Sequence, residues 1–157
     1  MSSTQNKVKL SELIRPEQVW IAPEVFSKTE VVEHLVQLVC KENASLDVQE
    51  VLPQILQREE SMSTTLDTGL SIPHARLEEV ENISAALAIC PQGMQDPSKP
   101  EISVHAMLLF LSPAQPAFFQ RHLQFLAAVA ETFQPELMKE LLSCATVQEI
   151  IEKLEIK

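Results

Sequence analysis

An α/β fold, built as a three-layer α/β/α sandwich on a mixed central sheet of about four or five strands, is predicted by three features of the chain. Segments with the 3.6-residue apolar spacing of helices lie toward both ends. Between them come short, nearly continuous apolar runs, Ile83 to Cys90 and Ile102 to Leu111, of the kind found in strands buried on both faces. A sheet of such strands must be covered on both sides, and the flanking helices are available to do it.

Taken in order, Val8 to Ile14 has apolar residues at 8, 10, 13 and 14 and reads as a short helical turn ended by Arg15-Pro16. Gln18 to Ile21 is a candidate first strand. Ser27 and Glu30 form a Ser-x-x-Glu capping box, followed at helical spacing by Val31, Leu35, Leu38 and Val39 to about Glu42. Asp47 can cap a second helix that carries Val48, Val51, Leu52, Ile55 and Leu56, although Pro53 within it predicts a kink or a different start. Ser61 to Gly69 lacks periodicity and is rich in Ser, Thr and Asp, the composition of a loop. A further strand is possible around Leu70 to Ile72, because Pro73 drives the residue before it toward extended geometry. Pro91 to Pro100, with three prolines and Gly93, is expected as a surface turn between the two strongest strands. A long helix resumes at Phe119, with His122, Leu123, Leu126, Val129 and Phe133 on one side. Pro135 opens another helix, and Thr146 with Glu149 opens the last.

The 157 residues suit a single domain spanning 1–157, with the polar residues 1–7 expected as a flexible tail. No apolar run approaches the roughly 20 residues that cross a bilayer, and the first residues lack the apolar core of a signal peptide. A cytoplasmic protein without membrane insertion is expected. Cys40, Cys90 and Cys144 are odd in number and set among apolar neighbours, which suits reduced, buried thiols rather than disulfides or a zinc site. The formal charge of −10 argues against nucleic acid as a partner and toward a protein with a basic face. Two glycines, Gly69 and Gly93, are too few for the Gly-rich nucleotide loops.

The chemistry concentrates in Arg58 to Arg76, REESMSTTLDTGLSIPHAR. His74 follows a proline, with Arg58 sixteen residues before it and Arg76 two after. Imidazole accepts and releases groups near neutral pH, and guanidinium offers a planar fork of donors that matches phosphate oxygens. The pattern points to a loop that handles phosphoryl groups. The bland alternatives are plain. A lone loop histidine is more often an ordinary surface residue, Arg58 can be a solvated helix end, and His122 on its apolar stripe can be a satisfied core histidine. His34 and His105 are read only in the bland way, as a boundary residue and a backbone-bonded strand residue. A Ser71, His74, Asp67 triad is discounted, because three residues so close on one loop rarely attain the mutual orientation a hydrolase needs.

This stretch resembles the active-site segment of the fructose/mannitol-type IIA domains of the bacterial phosphoenolpyruvate-dependent phosphotransferase system, particularly the free-standing nitrogen-regulatory IIA proteins. The likeness rests on Arg58-Glu59, Ser63-Thr64 and Gly69-Leu70-Ser71-Ile72-Pro73-His74, supported by Leu10 to Ile14, Leu111 to Ala114 and His122-Leu123. The resemblance implies a phosphohistidine carrier, a phosphotransferase-system IIA component. His74 would accept the phosphoryl group from HPr or a similar phosphocarrier, and His122 and Arg58 would contact that group. No metal or nucleotide cofactor is called for. Downstream, the implied partners are regulatory target proteins or a separate IIB component, with regulation favoured by the absence of an attached membrane or IIB domain.

Thr65 and Asp67 stand where the family usually has glycines. That departure predicts a stiffer loop and a carboxylate near the anion site; at ~4 Å an inward Asp would cancel about one arginine's attraction, and an outward Asp or a remodelled loop are the alternatives. The competing expectation is therefore an IIA-like interaction module that is phosphorylated weakly or not at all.

Overall fold

The computed structural model describes residues 10–156, without the side chains of Ser11 and Ile156; the expected tail at 1–7 lies outside this range. The chain runs α1 (Leu10–Leu13), a 3-10 turn (Pro16–Gln18), β1 (Val19–Ile21), α2 (Lys28–Lys41), α3 (Val48–Ser61), β2 (Leu70–Ser71), β3 (His74–Leu77), β4 (Ser84–Gln95) and β5 (Ser103–Pro113). A second 3-10 turn (Pro116–Phe118) then leads into α4 (Phe119–Thr132), α5 (Pro135–Leu142) and α6 (Val147–Ile156).

The sheet has five strands in a mixed arrangement. β4 and β5 form its antiparallel centre, β1 joins β4 in parallel, and β2 and β3 both lie parallel to the far edge of β5. Strand alternation divides the core in two. Ala85, Leu87, Ile89, Ala106, Leu108 and Phe110 face α1, α4, α5 and α6. Ala86, Ala88, Cys90, Met107, Leu109 and Leu111 face α2 and α3. Both faces of these strands are buried, which is why their sequences read as unbroken apolar runs. The three layers agree with the sequence-based expectation.

The capping signals act as their chemistry requires. Ser27 Oγ accepts from the Glu30 amide while Glu30 accepts from the Ser27 amide, and Asp47 accepts from the Gln49 amide. The second helix starts where Asp47 caps it and continues through Pro53, which lies on its exposed face.

One expected turn is corrected. Pro91 to Gln95 belong to β4, whose register against β5 shifts between Ile89 and Met94. Pro91 has no N–H for a ladder bond and Gly93 adopts φ +82, so these residues make a bulge within the strand rather than its end. The reversal itself comes later, where the Lys99 amide bonds the Asp96 carbonyl and the Ile102 amide bonds the Lys99 carbonyl.

The possible strand near Leu70 exists and extends further than expected. Leu70 faces Ala106 and His74 faces Phe110, the same register on both sides of Pro73. β2 and β3 are thus one run along β5, interrupted where proline has no amide to donate. His74 is held by this extended run, as the Ile72-Pro73 step predicts, and opens β3.

Candidate functional site

His74 opens β3 on the face shared with Phe110. The two rings stack with centroids 4.9 Å apart and planes 8° from parallel, and Phe110 packs edge-on against Phe125 of α4. Aromatic stacking on a fully buried ring fixes the plane of the imidazole. Its Nδ1 lies 2.8 Å from the Ile72 carbonyl oxygen. A carbonyl can only accept, so Nδ1 carries the proton and donates it, which leaves the lone pair on Nε2. Burial lowers the His74 pKa; the Ile72 carbonyl opposes this, Arg58 adds to it and Glu59 opposes it. At neutral pH the ring is neutral and Nε2 is a free nucleophile.

α4 brings His122 to the same place. Its ring centroid is 5.3 Å from that of His74, and its Nδ1 is 2.7 Å from Ser112 Oγ at the end of β5. Burial, then the positive potential of His74, Arg76 and Arg58, pushes its pKa down to about 4. A neutral His122 that accepts a hydrogen bond from the Ser112 hydroxyl at Nδ1 presents Nε2–H as a donor.

α3 delivers Arg58 in its last turn. With His74, Thr64, Met62 and Leu126 it lines a cleft of about 550 Å³. Among the described residues the ion pairs are Arg15–Glu42, Lys28–Glu59 and Lys28–Asp96, so the Arg58 guanidinium is not committed to a carboxylate. Arg76 sits at the rim instead. It donates to the Pro113 and Gln115 carbonyls and lies 5.2 Å over the Phe119 ring. Of the three expected site residues, His74 of β3 and Arg58 of α3 line one cleft, and His122 of α4 stands beside the His74 ring.

Of the alternatives open for the loop, the structure takes the one with Asp67 turned outward. Thr65 is buried, forms an isolated bridge with Ser71 and, like Asp67, needs no positive φ. Asp67 is exposed, and the carboxylate whose charge reaches His74 is Glu59. The discounted triad is not assembled, since Ser71 Oγ pairs with Thr65 Oγ1 and His74 Nδ1 with Ile72. His105 bonds the Cys90 carbonyl and Ser103, as read, and His34 stacks on Trp20 at 3.8 Å.

Sequence reasoning missed Phe110, Ser112, Lys28 and Asp96. Phe110 and Ser112 stand in and at the end of the strongest strand run, where an aromatic and a buried hydroxyl were the available signals. Lys28 and Asp96 carried none, because their partners are distant in the chain.

Fold and site together define a class: an α/β domain that presents a neutral, oriented imidazole at a sheet edge beside a second imidazole, with a guanidinium in the same cleft that no described carboxylate pairs. Residues 12–156 match the family model described as "Phosphoenolpyruvate-dependent sugar phosphotransferase system, EIIA 2", and the chain belongs to that family. Its role is that of a phosphotransferase-system phosphocarrier or regulator. The fructose-specific EIIA component of Haloferax volcanii is 26% identical over 132 residues, 82% of this chain and 84% of that protein. The nitrogen regulatory protein of Pseudomonas aeruginosa is 22% identical over 147 residues, 94% of each. The fructose-specific EIIABC component of Bacillus subtilis is 27% identical over 146 residues, of which the chain spans 23% of the length. Among solved structures, nitrogen regulatory protein IIA-Ntr from Neisseria meningitidis superposes with a TM-score of 0.80 at 24% identity, covering 92% of this chain and 98% of that one. IIA mannitol from Escherichia coli does so at 0.74 and 15%, covering 89% and 97%. At these identities the structures establish the fold. Among the described residues no helix is long and apolar enough to cross a membrane.

Proposed function

We propose that the protein accepts a phosphoryl group on Nε2 of His74 from the phosphohistidine of an HPr-like carrier and, in the cytoplasm, regulates partner proteins according to its phosphorylation state. The donor's P–N bond breaks as the His74 Nε2–P bond forms, and the departing donor imidazole keeps the electron pair. Positive charge that develops on the His74 ring is stabilised by the Ile72 carbonyl at Nδ1. Arg58 and the His122 Nε2–H supply donors to the phosphoryl oxygens, so positioning and electrostatics provide most of the catalysis. At ~4 Å and an effective dielectric near 20, the Arg58 charge would contribute about 4 kcal/mol before desolvation.

The single observation that carries this reading is the 2.8 Å contact from Nδ1 to Ile72, which occupies Nδ1 as a donor and supports Nε2 as the nitrogen offered to phosphorus. A regulatory role is supported by the relative named nitrogen regulatory protein, matched over 94% of both chains. A IIB component is the other partner class, as the mannitol IIA of Escherichia coli is known in complex with phosphorylated IIB.

The test is to mix the protein with phosphorylated HPr and follow an acid-labile, alkali-stable adduct. His74→Ala should take no label. Absence of label on the wild type, or undiminished label on His74→Ala, defeats the carrier reading and leaves the interaction module. Bond-resolved NMR of the adduct should place phosphorus on Nε2.

A further inference from the structure

Behind the cleft, four segments converge on two buried carboxylates. Asp96, 1% exposed, stands just after β4, and Glu59 is the neighbour of Arg58 in α3. Lys28, the first residue of α2, joins them, with Nζ 2.9 Å from Glu59 and 3.1 Å from Asp96. The Asp96 carboxylate also accepts from the hydroxyls of Ser63 at 2.5 Å and Thr65 at 2.6 Å and from the Ser98 amide at 2.9 Å. Glu59 accepts the Thr64 hydroxyl at 2.6 Å. The Lys99 ammonium closes the group by donating to the Thr65 carbonyl at 2.7 Å.

From this group a line of hydrogen bonds leads to the reacting ring. The loop held by Asp96 offers the Thr64 carbonyl to the Ile72 amide at 3.1 Å, and the Ile72 carbonyl accepts from His74 Nδ1. A second line leads through Lys28 and Glu59 to the turn of α3 that carries Arg58. One carboxylate thus anchors both the imidazole half and the guanidinium half of the cleft.

We propose that Asp96 is a positioning residue for phosphoryl transfer, clamping the loop 63–65 and, through Lys28 and Glu59, the Arg58 turn into the geometry that transfer requires. This rests on the reading of His74 as acceptor. Asp96 touches neither phosphorus nor imidazole and acts only through the groups it holds. Burial opposes its charge, but the hydrogen bonds from Ser63, Thr65, Ser98 and Lys28 outweigh that and keep it ionised, so the clamp is charged at working pH. Small displacements of a transfer site are costly: an error of about 1 Å is worth on the order of 100-fold in rate.

Asp96→Asn keeps the shape and removes the charge. The expected result is a drop in kcat for labelling of about 10- to 100-fold with the KM for the phosphorylated donor unchanged. The downfield His74 Nδ1 proton signal should shift, and the Ile72 amide should lose exchange protection while Leu108 of β5 keeps its own. Leu154→Ala, a core truncation on α6, lowers stability elsewhere and should leave kcat, KM and the Nδ1 signal alone. If Asp96→Asn leaves kcat unchanged, or lowers it no more than Leu154→Ala does, Asp96 is merely structural and the proposal is overturned. A wild type that takes no label defeats the carrier reading and this role with it, whereas labelled wild type with an unaffected Asp96→Asn defeats this role alone.

Discussion

Two imidazoles 5.3 Å apart between centroids and beside an arginine cannot easily both be protonated, and the structure leaves both neutral at working pH. The consequence for His122 is measurable. Unfolded, it takes a proton near pH 6.5; folded, it does so only near pH 4. Between those values the unfolded chain binds more protons, so stability falls as pH drops from about 6.5 to about 4, and this group adds nothing further below that. Carbon-bound proton shifts of His122 should titrate near pH 4, and His122→Gln should flatten the stability slope in the same window. A midpoint at or above 6.5 would refute the burial argument. Once a phosphoryl dianion occupies His74, attraction replaces repulsion and the His122 midpoint should move up. For Arg58 the expectation is kinetic. Arg58→Met should slow labelling of His74 by about 100- to 1000-fold, and Arg58→Lys should recover only part, because a point charge lacks the planar fork. Full activity in Arg58→Lys would show that charge alone suffices.

The strand that carries His74 depends on what precedes it. Gly69 has φ +90, and a Cβ there would meet the Ser103 carbonyl at 2.9 Å. Its own carbonyl accepts from the His105 amide at 2.9 Å, which starts the pairing that Leu70 and His74 continue. Gly69→Ala should therefore cost roughly 1–3 kcal/mol, read as a lower urea midpoint with unchanged slope. A neutral substitution would mean that the turn relaxes freely. Much at this scale was legible. The capping boxes at Ser27 and Thr146, the Asp47 cap and the stripe of α4 are local patterns, and local patterns are what a sequence displays. The bulge at Pro91 to Gly93 was hidden because proline and glycine mark turns and bulges alike. The clamp on Asp96 was hidden for a different reason. Its side-chain partners lie 31 to 68 residues away, a separation at which no spacing rule operates. His74, His122 and Arg58 were legible as candidates, but the ring plane set by Phe110 and the proton set by Ile72 follow from strand register, which exists only in the fold.

At the scale of the whole molecule, a body of formal charge −10 surrounds a cleft lined by Arg58, which no described carboxylate pairs, and by Glu59, which Lys28 neutralises, with Arg76 outside it over the Phe119 ring. The near field favours the phosphoryl group and the far field favours a carrier with a basic face. Exposed apolar side chains stand at the same mouth: Met62, 76% exposed, lines the cleft, and Phe119 lies parallel to the His122 ring. These two kinds of surface make opposite predictions with salt. Apolar contact is unweakened by ions, while steering is screened as the Debye length shrinks from about 30 Å at 0.01 M to about 3 Å at 1 M. If the far field governs encounter, kcat/KM for labelling at low donor concentration should fall at least tenfold across that range. The saturated rate kcat should move little, because the Arg58 contact acts at short range inside a cleft that salt screens poorly. A flat or rising kcat/KM would assign recognition to Met62 and Phe119, and Met62→Ser would then weaken KM where added salt does not.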